Sequence, residues 1–190
     1  MHLAGVKVII PVVMSGEAKL RVLFSRAEIG ATVSRLASEI TRDYCDKSPL
    51  LLGILKGSFM FMADLVRCLD FPLEVEFVRL SSYGAGSETS GRVRVVQGLP
   101  RSIKGRHVLI IEDIIDAGLT ISFLRDYLVR KKPASLKICV LMDKPARRQV
   151  PVNIDYLGFT VPNKFVVGYG LDYAENYRNL PDICFVEGEV

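Results

Sequence analysis

The sequence predicts an α/β fold in which helices cover both faces of a largely parallel β-sheet. Short apolar segments with the character of strands alternate with longer amphipathic segments along the chain. Several strand-like segments are apolar throughout, which is typical of strands buried on both faces. Strands separated by helices are joined by crossover connections, so neighbouring strands are expected to run parallel.

A strand and a helix are predicted in the first part of the chain. Residues 6–13 can form a strand, and Ser25 with Glu28 has the spacing of a capping box at a helix start. Apolar residues then recur on one helical face: Ile29, Val33, Leu36 and Ile40. The helix that follows Ser25 is therefore expected to lie against the core.

Three strands and one helix are predicted in residues 50–97. The strands are LLLGIL (50–55), which reads as buried, LEVEFVRL (73–80) and RVRVVQ (92–97). The helix lies in SFMFMADLVRCL (58–69), with a predicted buried face of Phe59, Met62, Val66 and Leu69. The polar, glycine-rich segment SSYGAGSETSG (81–91) separates the last two strands.

Another strand, helix and strand follow. They are HVLII (107–111), LTISFLRDYLVRKK (119–132) and LKICVLM (136–142). This repetition of strand and helix supports the parallel sheet.

Composition and charge favour one soluble domain spanning residues 1–190. The chain is 49% hydrophobic but has no apolar run long enough for a membrane span, and its first residues lack a basic leader and a cleavage site. The four scattered cysteines, without a CxxC pair, are interpreted as reduced packing residues of a cytoplasmic protein. The formal net charge of +4 is not gathered in one block, so a small anionic substrate is expected rather than nucleic acid or membrane.

Polar side chains are predicted to meet at one edge of the sheet. Lys56, the pair Glu112 and Asp113, and the pair Asp143 and Lys144 each follow a buried strand. Parallel sheets bind ligands at the carboxyl ends of their strands. One polar loop after a strand is unremarkable, but several together indicate a binding site.

The segment DAGLT, from Asp116 to Thr120, is expected to bind a phosphate. It can turn tightly at Gly118 and present backbone N–H groups at the start of a helix, and Thr120 adds a hydroxyl donor. Glu112 and Asp113 would repel phosphate, but each can accept a hydrogen bond from a ribose diol. The combination predicts a site for ribose 5-phosphate.

Two other phosphate-binding motifs are not supported. The chain has no GxxxxGK[ST] sequence, which disfavours a P-loop nucleotidase. GAGSET (84–89) lacks the third glycine of the dinucleotide-binding motif and precedes a strand-like segment instead of a helix. We interpret this segment as a lid over the site.

Five blocks of the sequence, in order, resemble the hypoxanthine-guanine branch of the type I phosphoribosyltransferase family. They are GILKGSFMFMADL, RLSSYG, VLIIEDIIDAGLT, LMDKP and KFVVGYGLDYAENYRNLPDI, and the match runs from about residue 20 to the end. Ala117 stands where the family more often has threonine, which removes one hydroxyl contact to phosphate. The resemblance implies the family's fold, with a small hood formed by the terminal segments.

The resemblance implies transfer of ribose 5-phosphate from phosphoribosyl pyrophosphate to hypoxanthine or guanine in purine salvage, giving IMP or GMP with Mg²⁺. Asp116 would be the general base, and Glu112 and Asp113 would bind the ribose. The 5′-phosphate would be bound by the loop of Ala117, Gly118, Leu119 and Thr120. Pyrophosphate would be bound by Lys56, Gly57 and Arg178. The metal would be held near Asp172, Glu112 and Asp113.

For the purine, the resemblance implies a pocket of Lys144, Phe165, Val166 and Asp172. Lys144 would donate to O6, Phe165 would stack on the ring, and the backbone of Val166 would contact the ring edge. Ser82 and Tyr83 would close over the reacting atoms.

Two other functions remain open from the sequence alone. A regulatory protein could keep this fold and bind RNA or DNA, although Asp116, Lys144 and Arg178 are all present and no basic block stands out beyond 130–132. A different transferase could use GAGSET for phosphate, although its context argues against this. The resemblance also implies a homo-oligomer, either a dimer or a tetramer.

Overall fold

The structure is a computed structural model, and it describes residues 19–83 and 92–187. The strand predicted for residues 6–13 and the GAGSET segment lie outside these residues. None of the described helices is long and apolar enough to cross a membrane.

Nine strands and three α-helices follow one another along the described chain. In chain order they are β1 (Leu20–Phe24), α1 (Arg26–Tyr44), β2 (Leu50–Leu55), α2 (Phe59–Arg67), β3 (Glu74–Tyr83), β4 (Arg92–Gln97), β5 (His107–Ile115), α3 (Leu119–Val129), β6 (Ser135–Asp143), β7 (Tyr156–Thr160), β8 (Val166–Val167) and β9 (Ile183–Val186). A short 3-10 helix, Pro145–Arg147, follows β6.

The central sheet has six strands in the order β4-β3-β2-β5-β6-β7. All neighbouring pairs are parallel except β3 and β4. Apolar residues of α1 and α2 pack on one face, against Leu51 and Leu109, and those of α3 pack on the other, against Leu52 and Ile110. The predicted α/β fold, with helices on both faces of a largely parallel sheet, is confirmed.

A second, antiparallel sheet of three strands is formed largely by segments near the two chain ends. Its order is β1-β9-β8, and β1 pairs with β9 from Leu20↔Val186 onward. This sheet is the hood that the family resemblance implied.

The start of α1 follows the prediction closely. The Ser25 side chain accepts from the Glu28 N–H, and the Glu28 carboxylate accepts from the Ser25 N–H, so the capping box is present. The four predicted core residues of α1 are all buried. A box of this kind satisfies two backbone donors that no helical carbonyl can reach.

The predicted buried face of α2 is partly wrong. The helix buries Phe61, Met62 and Leu65, and Leu69 just beyond it is also buried, whereas Phe59 and Val66 are only half-buried. The segment FMFMADLVRCL is apolar on most sides, so its periodicity alone does not choose between two adjacent faces.

Two further expectations need correction. Helix α3 ends at Val129, because Lys132 adopts a left-handed conformation with φ of 57° and closes the turn. All four cysteines are free, but Cys45 and Cys68 are exposed, so a packing role holds only for Cys139 and Cys184.

Candidate active site

The order of the strands reverses between β2 and β5. The strand that follows β2 in the chain, β3, lies on one side of this pair, and the strand that follows β5, β6, lies on the other. Such a reversal opens a crevice at the carboxyl ends of the two strands, where open parallel sheets bind ligands. Lys56 and Gly57 follow β2 directly, and Glu112 and Asp113 lie near the end of β5.

The sequence predicted that Glu112 and Asp113 follow the strand, but both residues belong to β5 itself. The strand continues to Ile115 because Glu112 and Ile114 still pair with Val140 and Met142 of β6. Burial, reinforced by the charge of Asp113, raises the pKa of Glu112 well above its ordinary value. Burial raises the pKa of Asp113 to about 6. Glu112 Oε2 has no hydrogen-bond partner among the described residues, so it can accept a bond from a ligand hydroxyl.

The turn after β2 passes directly over Asp113. A Cβ atom on Gly57 would lie 1.7 Å from Asp113 Oδ2, and one on Gly170 would lie 2.2 Å from the Gly57 carbonyl oxygen. Neither position therefore accepts a side chain. The turn is enclosed between the β5 carboxylate and the segment before Leu171, and it includes a cis peptide bond between Leu55 and Lys56.

The predicted anion loop has the expected geometry. Gly118 is the N-cap of α3 with φ of 85°, a conformation that favours glycine. The first N–H groups of α3 have no partner within the helix, so they can donate to a ligand. The Ala117 carbonyl accepts from the Gln149 and Val150 N–H groups, at 2.9 and 3.2 Å, so the chain after the 3-10 helix holds the loop in place.

Asp116 and Lys144 meet where β5 and β6 end. The Lys144 N–H donates to the Ile115 carbonyl at 3.0 Å. Lys144 is only 4% exposed. Burial lowers the pKa of Lys144, and the charge of the neighbouring Asp116 opposes this change. The structure therefore brings together the side chains expected to act as base and to contact O6.

Arg147 is a site residue that the sequence analysis missed. Its Nε lies 3.5 Å from Asp116 Oδ1. Arg148, the next residue, forms an ion pair with Asp143. The available signal was the pair of arginines three and four residues after Lys144, in a loop already marked by its position after a strand.

The hood contributes an aromatic pair beside an open strand edge. The Phe165 and Tyr173 rings meet edge to face, with centroids 5.4 Å apart. The Val186 N–H donates to the Phe165 carbonyl, and Val166 pairs with Phe185 across β8 and β9. Since bonded and non-bonded residues alternate in an antiparallel pair, the Val166 N–H and carbonyl point away from β9. The backbone groups of Val166 are the ones expected to contact the purine edge. Tyr173 was not predicted from the sequence.

Arg178, Asp172 and Lys56 form the polar rim on the other side of Gly57. Arg178 Nη2 lies 2.7 Å from Asp172 Oδ1, and Arg178 Nη1 donates to the Gly170 carbonyl at 2.8 Å. Burial and local backbone hydrogen bonds have the largest effects on the pKa of Asp113. The charge of Arg178 then lowers this pKa, and the charge of Asp172 raises it. The two sides of the crevice are therefore electrostatically connected. Lys56 Nζ donates to Glu175, a third residue that the sequence analysis did not single out.

The expected metal ligands do not form a complete site by themselves. Within the described ranges, no group of three or more His, Cys, Asp or Glu side chains has an arrangement that could hold a metal ion. The unpartnered Glu112 oxygen and the adjacent Asp113 fit a Mg²⁺ ion that takes most of its ligands from water and substrate.

The residues of the expected lid lie at the end of β3 and in the segment that follows it. Ser82 and Tyr83 end β3, where they pair with Val93 and Arg92. Their side chains, like residues 84–91, lie outside the described part of the chain.

Comparison with known proteins gives a consistent result. A model of the phosphoribosyl transferase domain matches residues 23–174. The hypoxanthine-guanine phosphoribosyltransferase of Streptococcus pneumoniae is 50% identical over 170 residues, covering 90% of this chain and 94% of that protein. The protein of the same name from Bacillus subtilis is 50% identical over 163 residues, covering 86% and 91%. A crystal structure of a hypoxanthine phosphoribosyltransferase from Staphylococcus aureus has a TM-score of 0.85 at 42% identity and covers 88% of this chain and 91% of that chain.

Proposed function

The chain belongs to the phosphoribosyltransferase family, and from this premise we propose how the side chains of the crevice divide the reaction. The protein is a purine salvage enzyme: it transfers ribose 5-phosphate from phosphoribosyl pyrophosphate to hypoxanthine or guanine. The products are IMP or GMP and pyrophosphate. The residue roles and the metal given below are our proposal.

The close approach of Gly57 to Asp113 is the observation that carries the proposal. It puts the turn that would bind pyrophosphate directly against a carboxylate that would bind ribose. In phosphoribosyl pyrophosphate these two groups are joined through C1′, the atom at which the bond breaks. A site in which both subsites touch is therefore suited to holding the bond that is cleaved.

The ribose 5-phosphate half is assigned to β5 and the start of α3. The backbone N–H groups of Ala117, Gly118, Leu119 and Thr120, with the Thr120 hydroxyl, would bind the 5′-phosphate. Glu112 and Asp113 would accept hydrogen bonds from the two ribose hydroxyls. Phosphate and diol together fix the sugar so that C1′ lies above Gly57.

The pyrophosphate half is assigned to the turn after β2 and to Arg178. Backbone N–H groups of Lys56 and Gly57 would bind pyrophosphate oxygens, and the Arg178 guanidinium would add a planar pair of donors. Negative charge grows on these oxygens as the bond at C1′ breaks, so donors fixed in advance stabilise the transition state. Glu112, Asp113 and Asp172 would hold Mg²⁺ at this site, and the bound ion would supply positive charge beside the leaving pyrophosphate.

The purine is assigned to the hood and the end of β6. Phe165 would stack on the ring, the Val166 backbone and Asp172 would lie at its edge, and the Lys144 ammonium would donate to O6. Asp116 would remove a proton from the ring as the ring nitrogen attacks C1′. Ser82 and Tyr83 would close over C1′ and keep water from the cationic sugar.

A comparison of purine bases tests this assignment. The enzyme, phosphoribosyl pyrophosphate and Mg²⁺ are incubated with hypoxanthine, guanine or adenine, and nucleotide formation is followed. Hypoxanthine or guanine should be converted efficiently and adenine poorly, because the amino group of adenine would face the Lys144 donor. Adenine reacting as fast as hypoxanthine would contradict the role given to Lys144.

We also propose that the chain is one domain, forms a homo-oligomer and works in the cytoplasm. The exposed side chains of Val75 on β3 and Val96 on β4 are candidates for the subunit contact. Four free cysteines suit a reducing compartment. Sedimentation in solution should give a dimer or a tetramer, and a monomer at all concentrations would contradict this proposal.

A further inference from the structure

Glu175 contacts the Arg178 guanidinium, which is proposed to bind pyrophosphate, and the ammonium of Lys56, whose backbone N–H is proposed to bind it. Its Oε2 accepts a hydrogen bond from Lys56 Nζ at 2.8 Å and another from Arg178 Nη2 at 3.3 Å. One carboxylate oxygen therefore bridges the two positive side chains on this rim. A pyrophosphate oxygen has the same charge and the same preference for such donors.

The segment that carries Glu175 is held by the same network. The Glu175 N–H donates to Asp172 Oδ2 at 2.8 Å, and the other oxygen of Asp172 contacts Arg178. Ala174, Glu175 and Tyr177 have φ values of 49°, 65° and 75°, which residues with side chains rarely adopt. Polar contacts thus accompany an uncommon backbone conformation in this segment.

The Glu175 side chain is exposed enough to be displaced from Lys56 and Arg178 by a ligand. Its side chain is 67% exposed and that of Lys56 is 49% exposed, so the pair is open to solvent and to an arriving ligand. The hydrogen bonds from Lys56 and then Arg178 hold the pKa of Glu175 below its ordinary value, so the group is ionised at neutral pH. Exposed ion pairs contribute little to stability, so replacing the Glu175 carboxylate by another anion costs little free energy.

We propose that Glu175 is an internal stand-in for pyrophosphate, which occupies Lys56 and Arg178 in the free enzyme and is displaced when phosphoribosyl pyrophosphate binds. This inference rests on the assignment of Lys56, Gly57 and Arg178 under the proposed function, and it adds the Lys56 ammonium to the backbone donors assigned there. A competing carboxylate weakens the binding of both substrate and product at this subsite. Its return after the reaction helps pyrophosphate to leave, a step that limits turnover in many enzymes.

Calorimetric titration with pyrophosphate and Mg²⁺ tests the displacement. E175Q keeps the shape of the side chain but removes its charge, so pyrophosphate should bind about three- to tenfold more tightly, as expected when two exposed ion pairs no longer have to be broken. E39Q is the matched control, because Glu39 forms an exposed ion pair with Arg35 on α1, and it should leave binding unchanged. Unchanged or weaker binding by E175Q would overturn the inference.

E175D distinguishes two effects of Glu175: its direct contact with Lys56 and Arg178, and the repulsion between its charge and pyrophosphate. Aspartate keeps the charge but is one methylene shorter, so it cannot hold both contacts, and E175D should tighten pyrophosphate binding as E175Q does. If E175D binds pyrophosphate like the unmodified enzyme while E175Q binds more tightly, charge alone is responsible and the stand-in role is wrong.

R178Q distinguishes failure of the inference from failure of the proposed function. Loss of a charged donor to pyrophosphate should weaken binding about tenfold to a hundredfold. Binding that is insensitive to R178Q would show that the pyrophosphate site is misassigned. Weak binding by R178Q with no gain in E175Q would leave the site assignment intact and remove only the role of Glu175.

Discussion

Lys144 shows how one buried side chain can set the choice of purine. It is almost fully buried, and burial lowers the pKa of its ammonium group. On the proposed assignment, the purine O6 would supply an acceptor for this ammonium. A base with a donor at the same position would leave the ammonium without that partner, and this penalty is the proposed source of discrimination.

Replacing Lys144 by glutamine should therefore reduce both activity and selectivity. For K144Q we expect kcat/KM for hypoxanthine to fall about tenfold to a hundredfold, since a hydrogen bond to a charged group contributes about 1.5 to 3 kcal/mol. Adenine should lose less, because the amide oxygen can accept from its amino group. K47Q, at an exposed lysine that contacts Asp43 at the end of α1, serves as control. Equal losses for hypoxanthine and adenine would show that Lys144 does not read position 6.

At this scale the residue types could be predicted but not all of their partners. Asp116, Lys144 and the carboxylates of β5 were identifiable because they follow or end buried strands. Glu175 was not, because it contacts Lys56, a residue distant in sequence. Arg147 and Tyr173 lie close to residues that were identified, but their contacts with Asp116 and Phe165 could not be predicted. Position after a strand is a local signal, whereas these contacts depend on how the hood and the loops fold back over the sheet.

At the scale of elements, the junction of β5 and α3 depends on Gly118. The glycine has φ of 85°, and a Cβ atom there would lie 2.9 Å from the Val150 carbonyl oxygen. Both the backbone angle and the space exclude an ordinary side chain. The same glycine begins the helix whose first N–H groups are proposed to bind the 5′-phosphate.

Substitution of Gly118 by alanine should damage binding and stability together. For G118A we expect a loss of about 1 to 3 kcal/mol in the free energy of unfolding, from left-handed strain and crowding. The dissociation constant for phosphoribosyl pyrophosphate should rise at least about tenfold, the equivalent of one lost hydrogen bond to a charged phosphate. Chemical denaturation and calorimetry measure the two quantities.

Gly30 provides the matched control for this substitution. It lies in the exposed face of α1, and a Cβ atom there would meet nothing within 4 Å. G30A should therefore stabilise the protein by about 0.5 to 1 kcal/mol, as alanine does in a helix interior, and leave binding unchanged. G118A binding phosphoribosyl pyrophosphate as well as G30A would contradict the role of the α3 loop.

The sequence predicted elements well where a cap or a buried run marked them. The capping box located the start of α1, and Gly118 located the start of α3. The end of β5 was missed because Glu112 and Asp113 read as loop residues, although pairing with β6 continues past them. The face of α2 was missed because that helix is apolar on most sides, so only packing against α1 and the sheet selects the buried residues.

At the scale of the whole molecule, the site costs stability. Glu112 and Asp113 are held in surroundings that disfavour their charged forms, as the raised pKa values of both groups show. The fold keeps these two carboxyl groups close together, and on the proposed assignment ribose hydroxyls and Mg²⁺ would relieve this cost by pairing with the charges. The alternation of strand and helix predicted the central sheet, but the hood required contact between β1 and β9, which are too distant in sequence for any local pattern to connect.

The cost should appear in the pH dependence of unfolding. The pKa of Asp113 is about 6 in the folded protein against an ordinary value of 3.8. Below about pH 4 the carboxyl group is protonated in both the folded and the unfolded chain, so its burial has no charge penalty. Stability is lost as pH rises through 6, because the unfolded chain ionises more readily, and the loss is at most about 3 kcal/mol. D113N, which does not titrate, should therefore gain stability relative to the unmodified protein between pH 4 and 7.5.

Urea unfolding at both pH values, in the absence of ligand and with a metal chelator, measures this difference. The free energy of unfolding of D113N, compared with that of the unmodified protein, should be higher at pH 7.5 than at pH 4. Its binding of phosphoribosyl pyrophosphate should be weaker. A constant difference in the free energy of unfolding across this range would show that Asp113 is not held in a charge-disfavouring environment.

The division of work among Glu112, Asp113 and Asp116 is the central claim, and a kinetic comparison of E112Q and D116N tests it most directly. Each variant is assayed for kcat and, separately, for its dissociation constant for phosphoribosyl pyrophosphate. D116N should lose about a hundredfold to ten-thousandfold in kcat with nearly unchanged binding, because its amide cannot accept a proton. E112Q should instead bind phosphoribosyl pyrophosphate more weakly, by about tenfold to a hundredfold for one charge-assisted hydrogen bond. The same defect in the same parameter for both variants would contradict the account, since the carboxylates would then act as one electrostatic cluster.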